Sequence, residues 1–170
     1  MVCRMNCLIY DALELNSKQF FIRVYGLAWL WALIFVFFDY FLLNGFGNIL
    51  LDTSDDEIFS ALFFILIDAP FTETLIFQCF IQTILRHAQG SPTFSILGSA
   101  TIFSLCHLGN STINAIIVLA TGLALALTYE YVRMRYGNIY ACLSVFISHM
   151  LWNVISAVVM PLLFIIFDLK

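Results

Sequence analysis

Five long apolar runs, each close to the length that crosses a bilayer, take up most of this 170-residue chain. A helix rises about 1.5 Å per residue, so about 20 apolar residues cross the hydrocarbon core. The runs that predict spans cover residues 24–43, 58–85, 94–108, 113–131 and 139–167. Pro70 interrupts the second and predicts a kink, because its ring nitrogen cannot donate a helical hydrogen bond. Pro161 interrupts the last in the same way. Lipid offers backbone N–H and C=O groups no partners, so runs of this kind must close their own hydrogen bonds as helices. The fold class that follows is all-α: a polytopic membrane helix bundle of about five transmembrane helices.

Composition supports the same solvent. Hydrophobic residues make up 62% of the chain and charged residues 11%, against about a quarter charged in soluble domains. A water-soluble fold this short could not hide so much apolar surface. The lipid bilayer is therefore the first partner, and the 18 phenylalanines are expected to pack mostly against lipid. A net charge of -4 with no basic run excludes nucleic acid, since nothing neutralises phosphates. Cys3, Cys7, Cys79, Cys106 and Cys142 form no CxxC pair. Their odd number and spacing read as small buried hydrophobes and not as a disulfide framework or a zinc site.

Lys and Arg in short loops set orientation. Arg4, Lys18 and Arg23 precede the first run, Arg86 follows the second, and Arg133 and Arg135 follow the fourth. Only Lys170 falls opposite, on the side of the acidic stretch 52–57. The N-terminus is thus expected in the cytoplasm. Asp11, Glu14, Lys18 and Arg23 lie ahead of the first run, which does not suit a cleavable signal peptide. Residues 1–23 read as a cytoplasmic N-terminal segment, with an interfacial amphipathic helix over 8–22, and 24–170 as one transmembrane domain. No internal repeat supports a transporter built from inverted halves.

Ionisable groups at mid-membrane depth are costly and usually functional. The candidates are Asp39, Asp68, Glu73, His107, Glu130 and His149. Asp39 and Glu130 lie near span ends, where a side chain reaches the interface by snorkelling. Asp68 precedes Pro70 and is placed to satisfy the backbone freed there. Glu73, His107 and His149 differ: counted from the cytoplasmic ends of their spans, all three lie roughly 15–20 Å deep. Three spans thus place a carboxylate and two imidazoles in one layer. Asn153 stands one turn beyond His149 on the same face.

These residues resemble a known pattern. Ala69-Pro70-Phe71-Thr72-Glu73-Thr74-Leu75-Ile76-Phe77-Gln78 looks like the first motif of the CPBP (Abi, CAAX-protease-like) intramembrane endopeptidases, a Glu-Glu-x-x-x-Arg box after a proline. Phe103-Ser104-Leu105-Cys106-His107 matches the second motif, Phe-x-x-x-His, and His149-Met150-Leu151-Trp152-Asn153 the third, His-x-x-x-Asn. The run Gly137-Asn138-Ile139-Tyr140 is similar to the turn that leads into the third. The resemblance covers roughly residues 58–156. It implies an intramembrane protease of the glutamic type in a bacterial or archaeal cytoplasmic membrane, cutting membrane-anchored proteins or peptides. Carried across, Glu73 is the general base, helped by His107. His149 and Asn153 bind the attacking water or the developing oxyanion. Phe77 and Phe103 are supporting positions within these motifs.

The chain departs from the motif where the second Glu is Thr74 and the Arg is Gln78. These positions are i and i+4, where Glu and Arg pair on a helix, so both charges are replaced together by neutral groups. No cofactor is expected. Zinc held by Glu73, His107 and His149 would leave no neighbouring carboxylate as base unless Asp68 reaches in, and no His-Glu-x-x-His run is present. Three alternatives remain. An inactive homologue could serve as a binding, immunity or assembly factor. Glu73 and the histidines could form an ion or proton path. A thiol nucleophile at Cys79 or Cys106 is disfavoured by an apolar setting and, for Cys106 and His107, by adjacent side chains pointing apart.

Overall fold

The computed structural model describes residues 2–38 and 55–159, and all of its regular structure is helical. Six helices make up the described residues. The first two are α1 (Val2–Glu14) and α2 (Ser17–Phe38). The third, α3, is continuous over residues 55–89. Then come α4 (Pro92–Cys106), α5 (Thr112–Tyr136) and α6 (Asn138–Val154), the last extended by a π turn over Ile155–Val159. Four helices are long and apolar enough to cross a membrane: Ser17–Phe38, Phe59–Gln89, Thr112–Tyr136 and Asn138–Val159. The third expected span is a shorter apolar helix, α4, of 15 residues. At about 1.5 Å per residue it reaches only about 22 Å, so its end at Cys106 stops short of a full crossing.

Termini follow from local chemistry. The expected helix over 8–22 is instead split at Leu15 and Asn16, where the Asn16 side chain accepts from the Gln19 amide at 3.0 Å and starts α2; this is an N-cap. Gly90 closes α3 with φ of 65°, a left-handed conformation that glycine adopts without strain. Ser91 and Ser111 cap α4 and α5 by accepting from Phe94 and Asn114 amides. The expected positions Asp39, Pro161 and Lys170 lie outside the described residues.

The bundle is arranged inside out relative to a soluble protein. Leu27, Phe59, Phe80, Ile139 and Leu151 point outward, as do many of the phenylalanines. Inside lie Ser95, Ser99, Thr121, Thr128, Gln78, Gln82 and Glu130, with alanines between them. Small and polar residues at helix interfaces let backbones approach and hydrogen bonds form away from lipid. The central helix is α5. Gly122 lets it approach α4 closely: a Cβ there would stand 2.8 Å from the Phe103 ring and 3.3 Å from the Ala100 backbone of α4. Helix α2 lies along the other side of α5. Phe20 stacks on Tyr131 at 3.9 Å, the Tyr25 hydroxyl and Thr128 Oγ1 share a 3.0 Å hydrogen bond, and Trp31 donates to the Ile116 carbonyl.

Glu130 does not snorkel, contrary to the expectation for a residue near a span end. Its side chain is fully buried, and Arg86 Nε and Arg133 Nη2 lie 3.1 and 2.6 Å from Oε1. Two guanidinium groups that are a quarter exposed thus reach in to the carboxylate, so the charge needs no route to water. Arg135 lies over the Tyr131 ring and donates to the Leu13 carbonyl. Arg86, Arg133 and Arg135 therefore gather at the end of the bundle where α1 meets α2.

Cys79 and Cys142 form a disulfide between α3 and α6, with their Cα atoms 6.2 Å apart. This corrects the expectation that the cysteines act only as buried hydrophobes. The pair is 63 residues apart in sequence and comes together only because α3 and α6 run antiparallel. Cys106 is free and exposed.

The clamp generates a first prediction. Glu130→Gln leaves two guanidinium groups facing each other across a neutral amide. Removing one partner of a buried ion pair costs about 3 kcal/mol at the lower end of the usual range, and partial exposure of the arginines favours that lower end. Denaturant unfolding in a fixed detergent should show a loss of that size; an unchanged midpoint would mean that the clamp adds nothing.

Candidate active site

Pro70 organises the helix that carries Glu73. α3 is α-helical over Asp55–Phe63, π-helical over Phe64–Asp68, α-helical over Ala69–Glu73, π-helical over Thr74–Gln82 and α-helical again over Thr83–Gln89. Instead of a sharp break, the proline is absorbed by wider turns, a form of helix common at functional sites. In the first π segment the Ala69 amide donates to the Phe64 carbonyl. The next carbonyl in that register, Ile65, faces Pro70, which has no hydrogen to donate. Asn153 Nδ2 fills the gap, donating to Ile65 O at 2.8 Å. Asp68, the residue expected to satisfy the freed backbone, makes no side-chain capping bond.

That link sets α6 against α3, and the carboxylate meets the imidazoles. His149 Nε2 lies 3.5 Å from Glu73 Oε2, and His107 Nε2 lies 3.9 Å from Glu73 Oε1. His149 is buried, while the Glu73 and His107 side chains are 26% and 19% exposed, which leaves one open side to the group. His107 does not sit in the middle of a helix. It is the first residue after α4 and its Nδ1 lies 2.8 Å from the Phe103 carbonyl. A carbonyl can only accept, so Nδ1 carries the proton and Nε2 presents a lone pair toward Glu73 when the ring is neutral.

Phe103 packs against both imidazoles, with ring centroids 4.8 Å from His107 and 5.8 Å from His149. Phe77 meets it edge-on at 5.1 Å, and the Phe77 carbonyl accepts from Ser99. The two supporting aromatics thus form an apolar wall behind the polar group. Thr74 and Gln78 are buried on α3, and among the described residues their side-chain polar atoms have no hydrogen-bond partner.

All four expected catalytic positions therefore lie on adjoining elements, with Glu73, His107 and His149 in one cluster. Asn153 joins it indirectly, through the backbone of α3 and not through the Glu73 carboxylate. Among the described residues, no group of three or more His, Cys, Asp or Glu side chains is placed to hold a metal ion. Cys79 is oxidised and offers no free thiol.

A family model described as type II CAAX prenyl endopeptidase Rce1-like matches residues 55–155, a segment that contains the whole cluster. The chain belongs to that Rce1-like family. Membership makes it, at family level, a CAAX-protease-like intramembrane endopeptidase, and the four apolar helices agree that it is an integral membrane protein. The family acts within the bilayer on membrane-anchored substrates. No curated protein and no solved structure matches the chain. Two features of the site escaped sequence reasoning, the Asn153–Ile65 link and the buried amide of Gln82. The first had a signal in Pro70, since a carbonyl freed in lipid needs a donor; the second lay in the four-residue spacing Gln78–Gln82.

The tautomer is a direct test of this geometry. In 15N spectra of histidine-labelled protein at neutral pH, neutral His107 should carry its proton on Nδ1. A proton on Nε2 would mean that the ring is not held by the Phe103 carbonyl.

Proposed function

We propose that the chain is an active glutamic-type endopeptidase that uses water activated by Glu73, without a metal. The observation that carries this reading is the Glu73 carboxylate facing His107 Nε2 and His149 Nε2 at 3.9 and 3.5 Å. These separations exceed the usual N–H···O hydrogen bond and suit a water molecule that touches carboxylate and imidazole together. Glu73 takes a proton from this water, and the hydroxide that is left keeps its own hydrogen, which it donates as a hydrogen bond to the neutral His107 Nε2. The oxygen then attacks the peptide carbonyl carbon. His149 Nε2–H donates to the oxyanion that forms. Glu73 returns its proton to the leaving amine as the C–N bond breaks. Asn153 acts as a positioning residue, since one hydrogen of its amide already holds Ile65.

Thr74 and Gln78 fit an active enzyme. The charged pair of the motif is replaced on both sides, so no lone charge is left in the bundle. With the Arg86, Arg133 and Arg135 end in the cytoplasm, as the positive-inside rule requires, the substrate enters from the bilayer toward the exposed edge of Glu73. The substrate class is membrane-anchored protein. A non-catalytic binding role for the same cavity is the reading that Thr74 and Gln78 would otherwise favour.

Membrane-anchored reporters, prenylated CAAX proteins among them, co-expressed with the protein should shift in size with wild type. Glu73→Gln should slow cleavage by at least about a hundredfold, the scale of losing a general base, with expression and insertion unchanged. Equal cleavage by the variant would remove Glu73 as base, and no cleavage of any reporter by folded wild type would favour the binding role. Cleavage should also persist in strong chelators. Loss under chelation with recovery on added zinc would overturn the metal-free mechanism.

A further inference from the structure

The Cys79–Cys142 disulfide takes no part in the cleavage chemistry, yet it joins the two helices on which that chemistry depends. α3 carries Glu73 and α6 carries His149. Cys79 stands six residues after Glu73 and Cys142 seven residues before His149. In an antiparallel pair the bridge therefore lies within two helical turns of the Glu73–His149 contact. On the other side of that contact Asn153 Nδ2 holds the Ile65 carbonyl. One covalent tie and one hydrogen bond thus flank the 3.5 Å approach of carboxylate and imidazole. Beside the cysteines, Phe80, Ile139 and Leu143 point outward, 64%, 76% and 52% exposed. Lipid holds such faces about as well as another helix does, so these side chains do not set the register of α3 on α6.

Two further facts bear on the bridge. Both cysteines are half-buried, which leaves them open to a small reductant dissolved in the bilayer. They also lie toward the Arg86 end: Cys142 is four residues into α6 and Cys79 seven residues before Arg86. The positive-inside rule puts that end on the cytoplasmic side, where disulfides are usually transient and serve catalysis or redox sensing. We infer that the Cys79–Cys142 bridge is a reversible thiol–disulfide lock that positions His149 against Glu73, so that cleavage depends on the oxidation state of this pair. A dithiol opens it. One thiolate attacks a bridge sulfur, the S–S bond breaks, and the second thiol of the reductant closes on the mixed disulfide. Two electrons pass to the bridge, the two protons end on Cys79 and Cys142, and the reductant leaves as a cyclic disulfide. The effect on cleavage rests on the protease reading, whereas the hold on His149 does not.

The full chain in lipid bilayers is equilibrated with a membrane-permeant dithiol and its cyclic disulfide at varied ratios. Alkylation and mass spectrometry should show Cys79 and Cys142 protected together at the oxidising end and labelled together at the reducing end. Cys106, which is free and exposed, should be labelled throughout. In 15N spectra of histidine-labelled protein, His149 should shift with the same ratio, while His87, exposed near the end of α3, should not. Reporter cleavage should lose roughly tenfold in kcat on reduction with KM nearly unchanged, a fraction of the hundredfold that a 1 Å misplacement can cost, and should recover on reoxidation. Cys79→Ala combined with Cys142→Ala should hold cleavage at the reduced level at every ratio. Wild-type cysteines that are labelled at every ratio, or protected at every ratio, overturn the inference. So does a bridge that opens while the His149 signal stays in place. A shifting His149 with unchanged cleavage overturns the dependence of cleavage on the pair. A shifting His149 in a wild type that cuts no reporter upholds the lock and tells against the protease reading.

Discussion

A carbonyl without a donor is costly in hydrocarbon, and Pro70 creates one at Ile65. The π register of α3 carries the chain past the proline, and the Asn153 amide closes the remaining gap from another helix. That single bond aligns α6 with α3 four residues away from His149. Because the helices run antiparallel, the alignment carries down the interface to the Glu73–His149 contact and to the Cys79–Cys142 bridge. Placement of the carboxylate against one imidazole thus depends on how a missing backbone hydrogen bond is made good.

The second imidazole arrives by a different route. α4 is too short to cross and ends inside the bundle, which puts His107 at a helix terminus and not on a helix face. Its ring is held from behind by the Phe103 carbonyl and packs against the Phe103 ring, whose position is fixed by Gly122 of α5. A helix end thus presents this side chain to the carboxylate, and both groups remain partly exposed. α5 is the common support. It meets α4 through Gly122, α3 through Glu130 and Ala126, and α2 through Tyr131 and Thr128.

Much of the site was legible in the sequence because polar groups in lipid are few and each must be explained. Glu73, His107 and His149 stood out by depth alone, and they do meet. The harder elements were those whose meaning depends on a partner. Glu130 looked like a snorkelling residue because its distance from a span end was visible, but the two arginines that bury it converge only in three dimensions. Asp68 looked like the partner of the proline break because it is adjacent; the actual donor is 88 residues from Ile65. The Cys79–Cys142 pair was hidden for the same reason.

The sequence by itself determined the solvent, the helical class, the family motifs and the layer in which the ionisable groups lie. Each of these follows from local composition and from the rise of a helix, which need no knowledge of neighbours. Tertiary structure decided that α4 stops short, that Asn153 serves the backbone, and that Gln82 meets the Ala126 carbonyl of α5. Those facts depend on helix register and rotation, and in a membrane both are set by interhelical contacts, because lipid holds every apolar face about equally well.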